Sequence, residues 1–245
     1  MKRAFFIGII FTCFYIPSTI CTESKPALTY EEVLKFLHFE DHDRRALEEG
    51  KVQAKELEPR SDKELAISVA VMIDKPLPAI YDSLHAGRLM KHTSKLQGFQ
   101  RIHIDPLKLS AFTDVSFNAE EEIQNLFHAQ PGTMFNLSQN EIKQISDLRD
   151  RFVEITHENK SQITQSLSQI YQKFLFERCR NYVQLGIKQI PPYAREEGKT
   201  NPGKELKLAV KESKWLNTYY PKFCQAFREY PHRQNKRYEH RFYWI

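Results

Sequence analysis

Cysteine is scarce in this chain, and half of it lies at the extreme N-terminus. Of 4 Cys in 245 residues, Cys13 and Cys21 sit in or beside an apolar run, leaving Cys179 and Cys224 for the remainder. That number excludes a disulfide-dense scaffold, and the lack of any CxxC spacing removes the common zinc patterns. Glycine is sparse too, with 8 residues against 12 Pro, which excludes collagen and low-complexity sequence. No apolar run reaches the roughly 20 residues of a spanning helix, so a multi-span membrane protein is excluded. Neither sign of charge dominates. The net +5 comes from 36 Lys and Arg interspersed with 31 Asp and Glu, without the concentrated basic stripe of a nucleic-acid binder.

Catalytic motifs are equally absent. There is no GxSxG or HExxH, and neither Cys179 nor Cys224 has a His near it in sequence, so the marks of a nucleophilic hydrolase or a zinc protease are missing. Gly198, Lys199 and Thr200 end like a phosphate-binding loop, but Tyr193 stands where its first Gly would fall. His38, Glu40, Asp41, His42 and Asp43 form the densest group of potential metal ligands. They straddle a helix break, where Asp serves as a cap, and no ligand spacing supports a metal. Nothing here argues for an enzyme or implies a cofactor.

What is present begins with an address. Lys2 and Arg3 precede an apolar stretch from Ala4 to Ile16 that Pro17 ends, followed by the small polar residues Ser18, Thr19 and Thr22. That is the pattern of a cleavable signal peptide over residues 1–21, and it predicts an exported protein, periplasmic or secreted. An export compartment permits a disulfide between Cys179 and Cys224, with two buried thiols as the alternative.

The remainder, 22–245, reads as a single α+β domain with a small antiparallel sheet in its first half and a helix-rich second half. Thr29 with Glu32 and Ser138 with Glu141 are capping boxes, each before an apolar helical repeat. Further helices are predicted over 41–49, capped by Asp41 or Asp43 and stopped by Gly50, over 76–86, stopped by Gly87, over 119–128, capped by Asn118, over 161–187, where Ile163, Leu167, Ile170 and Phe174 repeat, and over 204–217 and 221–229, with a linker at 191–203. Strands are predicted over 51–57, 64–73 and 98–104.

The strand over 64–73 carries the candidate site. Leu65, Ile67, Val69, Val71 and Ile73 alternate with Ala66, Ser68, Ala70 and Met72. Close packing favours the β-branched face for the core. The small face then either receives a helix or lines an apolar cavity, with Met72 as an adaptable wall and Ser68 as its polar handle. At the other end, Lys222, Arg228, Arg233, Lys236, Arg237 and Arg241 interleave with Phe227, Tyr230, Tyr238, Phe242, Tyr243 and Trp244. Such a tail either meets an anionic membrane surface or places its aromatics in the core.

Three segments in order, LEEGKVQAKEL from Leu47 to Leu57, ELAISVAVMIDKPLPAIYDSL from Glu64 to Leu84, and YYPKFCQAFREYP from Tyr219 to Pro231 followed by Phe242 to Trp244, resemble a family of uncharacterised exported bacterial proteins. That family is itself similar to the START-like superfamily of polyketide cyclases and lipid-transfer proteins (SRPBCC). The resemblance implies a helix-grip fold and a lipid or other apolar small molecule as ligand; it is the strand pattern over 64–73 that places the candidate binding residues at Ala66, Ser68, Ala70 and Met72. Two departures accompany it. The family's Cys pair is missing from the segment His128 to Leu137, and the chain stops where the family continues beyond Trp244, which implies a helix-grip fold cut short. The second function class is an envelope or secreted interaction protein using its basic aromatic C-terminal surface, with no nucleic-acid partner.

Overall fold

Side-chain caps decide where several of the helices begin. A computed structural model of the chain describes residues 12–15, 29–56, 67–86, 99–152, 154–231 and 238–244. The fold is α+β, 55% helix and 11% strand. Where the sequence predicts one domain over 22–245, the chain divides into two compact units, one of residues 19–89 and one of residues 1–18 with 90–245.

In the smaller unit, Thr29 Oγ1 accepts a hydrogen bond from the Glu32 amide at 3.2 Å while the Thr29 amide donates to Glu32 Oε2 at 2.8 Å. This box opens α1, Tyr30–Phe36. The next helix, α2, spans Asp41–Glu48, with Glu40 rather than Asp41 or Asp43 at its N-cap; Asp43 accepts from the Glu40 amide at 2.8 Å. Gly50, at φ 77, ends it in the left-handed region. Strands β2, Gln53–Glu56, and β3, Ile67–Ala70, pair antiparallel, and α3 follows at Leu77–His85. Only part of the strand predicted over 64–73 is therefore extended ladder; 64–66, like the stop at Gly87, lies outside the described residues. The small core here is Leu34, Phe39 and Leu47.

The larger unit is organised around a 26-residue helix. β1, Thr12–Tyr15, falls within the stretch read as a leader and pairs antiparallel with β7, Tyr238–Trp244, whose far end pairs with β4, Gln100–Ile102. A 3-10 turn at Leu109–Phe112 leads to α4, Glu120–Phe127. Asn118 does not cap α4; its N-cap is Ala119, without a side-chain bond, and Glu120, Glu121 and Glu122 meet the positive end of the helix dipole. The predicted Ser138 and Glu141 box does open α5, Gln139–Arg149. The long helix α6, Lys160–Leu185, buries Ile163, Leu167, Tyr171, Phe174, Leu175, Cys179 and Tyr182 along one side, as its apolar repeat predicts.

The remaining elements differ instructively from the sequence expectation. The linker at 191–203 contains a tight hairpin, β5 Tyr193–Ala194 with β6 Lys199–Thr200. The helix predicted over 204–217 is two, α7 Pro202–Glu212 and α8 Lys214–Tyr219, ahead of α9 Pro221–Glu229. Ser213 breaks it by capping α8 through the Leu216 amide, and Asn217 Nδ2 satisfies the freed carbonyls of Val210 and Ser213 at 2.9 and 2.7 Å. Tyr238, Phe242, Tyr243 and Trp244 belong to strand β7 rather than to a tail, Phe227 lies in α9, and Arg233, Lys236 and Arg237 lie outside the described residues. Phe242, Tyr243 and Trp244 are buried, and Trp244 Nε1 donates to the Ala111 carbonyl at 3.0 Å.

Candidate functional site

The residues predicted to bind an apolar ligand lie on β3 and just beyond it. Gln53 opposes Ala70, Ala54 opposes Val69, Lys55 opposes Ser68 and Glu56 opposes Ile67, so successive side chains alternate between two faces. Ala70 is half-buried and packs on the Leu34, Phe39 and Leu47 core. The β-branched side faces solvent instead: Val69 is 60% exposed, Val71 50%, Ile67 47% and Ile73 46%. This corrects the expectation that these residues form the core. A two-stranded sheet has two faces, and the small one lets a helix approach most closely, so the bulky face is left uncovered. Val52, Met72 and Leu77 are exposed as well. Of the residues assigned to a cavity, Met72 is on the surface, Ala70 meets helices, Ser68 stands within β3, and Ala66 lies outside the described residues.

The His38 to Asp43 group closes the start of α2. His42 Nε2 lies 3.2 Å from Asp43 Oδ1 and its Nδ1 lies 3.7 Å from Glu40 Oε2. Among the described residues no group of three or more His, Cys, Asp or Glu converges on a metal position.

In the larger unit, Cys179 on α6 and Cys224 on α9 are both buried in one core, and both are free thiols, so the bridge considered from the sequence is not formed. Burial pushes the Cys179 thiol up to about 12 and raises that of Cys224 against the nearby charge of Arg228. Thiols held protonated in this way are poor nucleophiles at neutral pH.

The densest polar chemistry was not singled out by the sequence. Glu141, the last residue of the α5 capping box, is buried, and so is Arg178, which interrupts the apolar side of α6. Arg178 Nε donates to Glu141 Oε1 at 2.8 Å and Nη2 donates to Oε2 at 2.7 Å, with a further bond from Nη2 to the Asn136 carbonyl at 2.7 Å. The Ser138 amide donates to Glu141 Oε2 at 2.6 Å. The guanidinium of Arg178 lies 5.2 Å from the Tyr193 ring centre, and Arg195 lies 5.7 Å from the same centre. Burial works against the Arg178 charge, but the hydrogen bonds and charge of Glu141 outweigh it and raise its pKa. Burial also lifts the Tyr171 phenol to about 12, against the neighbouring Arg178. A cleft of about 330 Å³ opens over this pair, walled by Pro191 and Pro192 and lined by Glu177, Asn181 and Lys199. One signal was available: a charged residue on an otherwise apolar helix side needs a buried partner.

No protein-family model, curated protein or solved structure matches the chain.

Proposed function

We propose that this chain is an exported binding protein that attaches to lipid through the aliphatic face of its 19–89 unit. The observation that carries the reading is the exposed row Ile67, Val69, Val71 and Ile73, joined by Val52. Scattered exposed aliphatics are ordinary, whereas a run of them along one strand and its continuation is the kind of surface that meets another apolar phase. The row holds no Trp, Tyr or Arg, the residues that anchor protein interfaces. Lipid demands no directional partner and suits such a row better. Half-buried aliphatics of this kind gain about 1 kcal/mol each on full burial, so the face offers about 5 kcal/mol before the costs of association. That is reversible attachment, in the range where a second anchor decides residence.

The START-like resemblance enters this proposal only through its ligand class, an apolar lipid, met at a surface rather than in a cavity. Export rests on Lys2, Arg3 and the run from Ala4 to Ile16. The second function class, a basic aromatic C-terminal surface, gains no support from Phe227, Tyr230, Phe242, Tyr243 and Trp244, all of which are buried.

Flotation of the purified chain with phosphatidylcholine vesicles tests the reading. Binding is expected at low and high salt alike, because apolar burial is not screened. Val69→Lys should abolish it while leaving the melting temperature nearly unchanged, since that side chain is already exposed. Absence of flotation, or flotation untouched by Val69→Lys, would overturn it.

A further inference from the structure

The cleft over the Arg178 and Glu141 pair has more hydrogen-bonding capacity than the fold uses. Glu141 is fully engaged: Oε1 accepts from Arg178 Nε, and Oε2 accepts from Arg178 Nη2 and from the Ser138 amide. Arg178 is not. Its side chain is 9% exposed, its Nε and Nη2 have partners, and its Nη1 makes no hydrogen bond to the described residues. Nη1 is also not among the fully enclosed unpartnered atoms of the described residues, of which Tyr243 Oη is the one found. Two N–H donors of a nearly buried cation are therefore left to the cleft that Arg178 lines.

The same cleft receives the start of α5. Gln139 and Asn140 line it as the first two residues of that helix, and amides at those positions have no acceptor within the helix. With the helix dipole behind them they favour an anionic oxygen. Lys199, the exposed first residue of β6, adds a second cation that forms no ion pair among the described residues. Against these donors stands Glu177, half-buried on α6, a carboxylate with no cationic partner among the described residues. Arg178 and Lys199 balance Glu141 and Glu177, so the lining is neutral overall but has separate donor and acceptor groups. A simple anion would use the donors and be repelled by Glu177. A simple cation would meet Arg178 and Lys199.

We infer that this cleft binds a small zwitterion of the α-amino acid type. Its carboxylate is taken by Arg178 Nη1, the Gln139 and Asn140 amides and Lys199, and its ammonium by Glu177. The volume of about 330 Å³ lies near the lower bound of ordinary ligand pockets and admits a molecule of that size. Pro191 and Pro192 offer an apolar wall for its side chain. The inference is independent of lipid attachment, which concerns the other unit.

The experiment is a titration of the isotope-labelled full chain with L-glutamine, acetate and ethylamine, read as amide shifts in the nuclear magnetic resonance spectrum. Saturable shifts at Gln139 and Asn140 are expected with L-glutamine, and weaker ones with either half-molecule. Lys199→Met and Glu177→Gln should each weaken L-glutamine binding by about tenfold or more, as the loss of one charge-assisted contact predicts. Both residues lie outside the buried pair, so the amide spectrum of each free variant should remain that of the folded chain. No saturable shift with L-glutamine would overturn the inference. So would acetate binding as tightly as L-glutamine with Glu177→Gln silent, which would leave a plain anion site.

Discussion

Replacing Glu141 by Gln removes the charge that neutralises Arg178 while changing almost no volume. The guanidinium then remains buried, with its side chain 9% exposed, facing a neutral amide that can accept at only one of the two positions now used. Removing one partner of a buried ion pair costs about 3 to 5 kcal/mol. The Ser138 amide bond at 2.6 Å weakens in the same variant, adding about 1 kcal/mol for the damaged cap. Arg178→Met should fall in a similar range, because it strands the carboxylate and also removes the bond to the Asn136 carbonyl. The double variant Glu141→Gln, Arg178→Met carries neither stranded charge. It should be less damaged than the sum of the singles, with a coupling of about 2 to 4 kcal/mol.

Urea unfolding followed by far-ultraviolet circular dichroism measures all four corners of the cycle. High salt should change little, since the pair is sheltered from mobile ions. Single variants that each lose less than about 1 kcal/mol, or a double variant whose loss equals their sum, would refute the reasoning and make the pair equivalent to a surface contact.

The remaining expectations concern stability. Tyr243→Phe should be neutral or stabilising by up to about 1 kcal/mol, because Tyr243 Oη is enclosed without a hydrogen-bond partner and its removal relieves a desolvated hydroxyl; a loss above that size in thermal melts would contradict it. Gly203→Ala should destabilise by about 1 to 3 kcal/mol, since a Cβ there would run into the Ile187 carbonyl, and an unchanged melting temperature would show that the first turn of α7 can shift. The alkaline limb of the stability curve follows from Cys179, whose pKa rises from 9.0 to about 12 through burial, and from Tyr171 and Tyr230, which rise from 10.0 to about 12. A raised folded pKa means that the unfolded chain loses its protons first, so stability is full below about pH 9, falls as pH rises from there, and is lost through about pH 12. Cys179→Ala should flatten the earliest part of that decline in denaturant titrations at stepped pH, and an unaltered slope would count against the assignment.

The elements that were legible in the sequence share a local cause. Both capping boxes need only residues three apart, and both form. The long apolar repeat of α6 needs only its own period, and its buried side follows it. Where the expectation failed, the deciding partner was distant. Phe242, Tyr243 and Trp244 read as a tail because Gln100 to Ile102, their ladder partners, are about 140 residues away. The break at Ser213 is the exception: it depends on Asn217 folding back to the carbonyls of Val210 and Ser213, a local signal masked by continuous amphipathic spacing.

The β3 strand shows why alternation identifies a strand more securely than it identifies a core. Period-two spacing places Ile67 and Val69 on the face opposite Ala70, and that much was correct. Which face turns inward depends on what the rest of the unit can set against it. The only core of described residues here is built by Leu34, Phe39 and Leu47 from two short helices and the turn between them, enough to cover one side of a two-stranded sheet. Helices approach a face bearing Ala70 more closely than one bearing Val69, and the dispersion gained by that approach falls off steeply with distance. The aliphatic face is therefore exposed because the smaller face makes the tighter contact. An apolar row left over in this way has little to do with the stability of its own unit, which is why a charge placed at Val69 should silence lipid attachment without unfolding the protein.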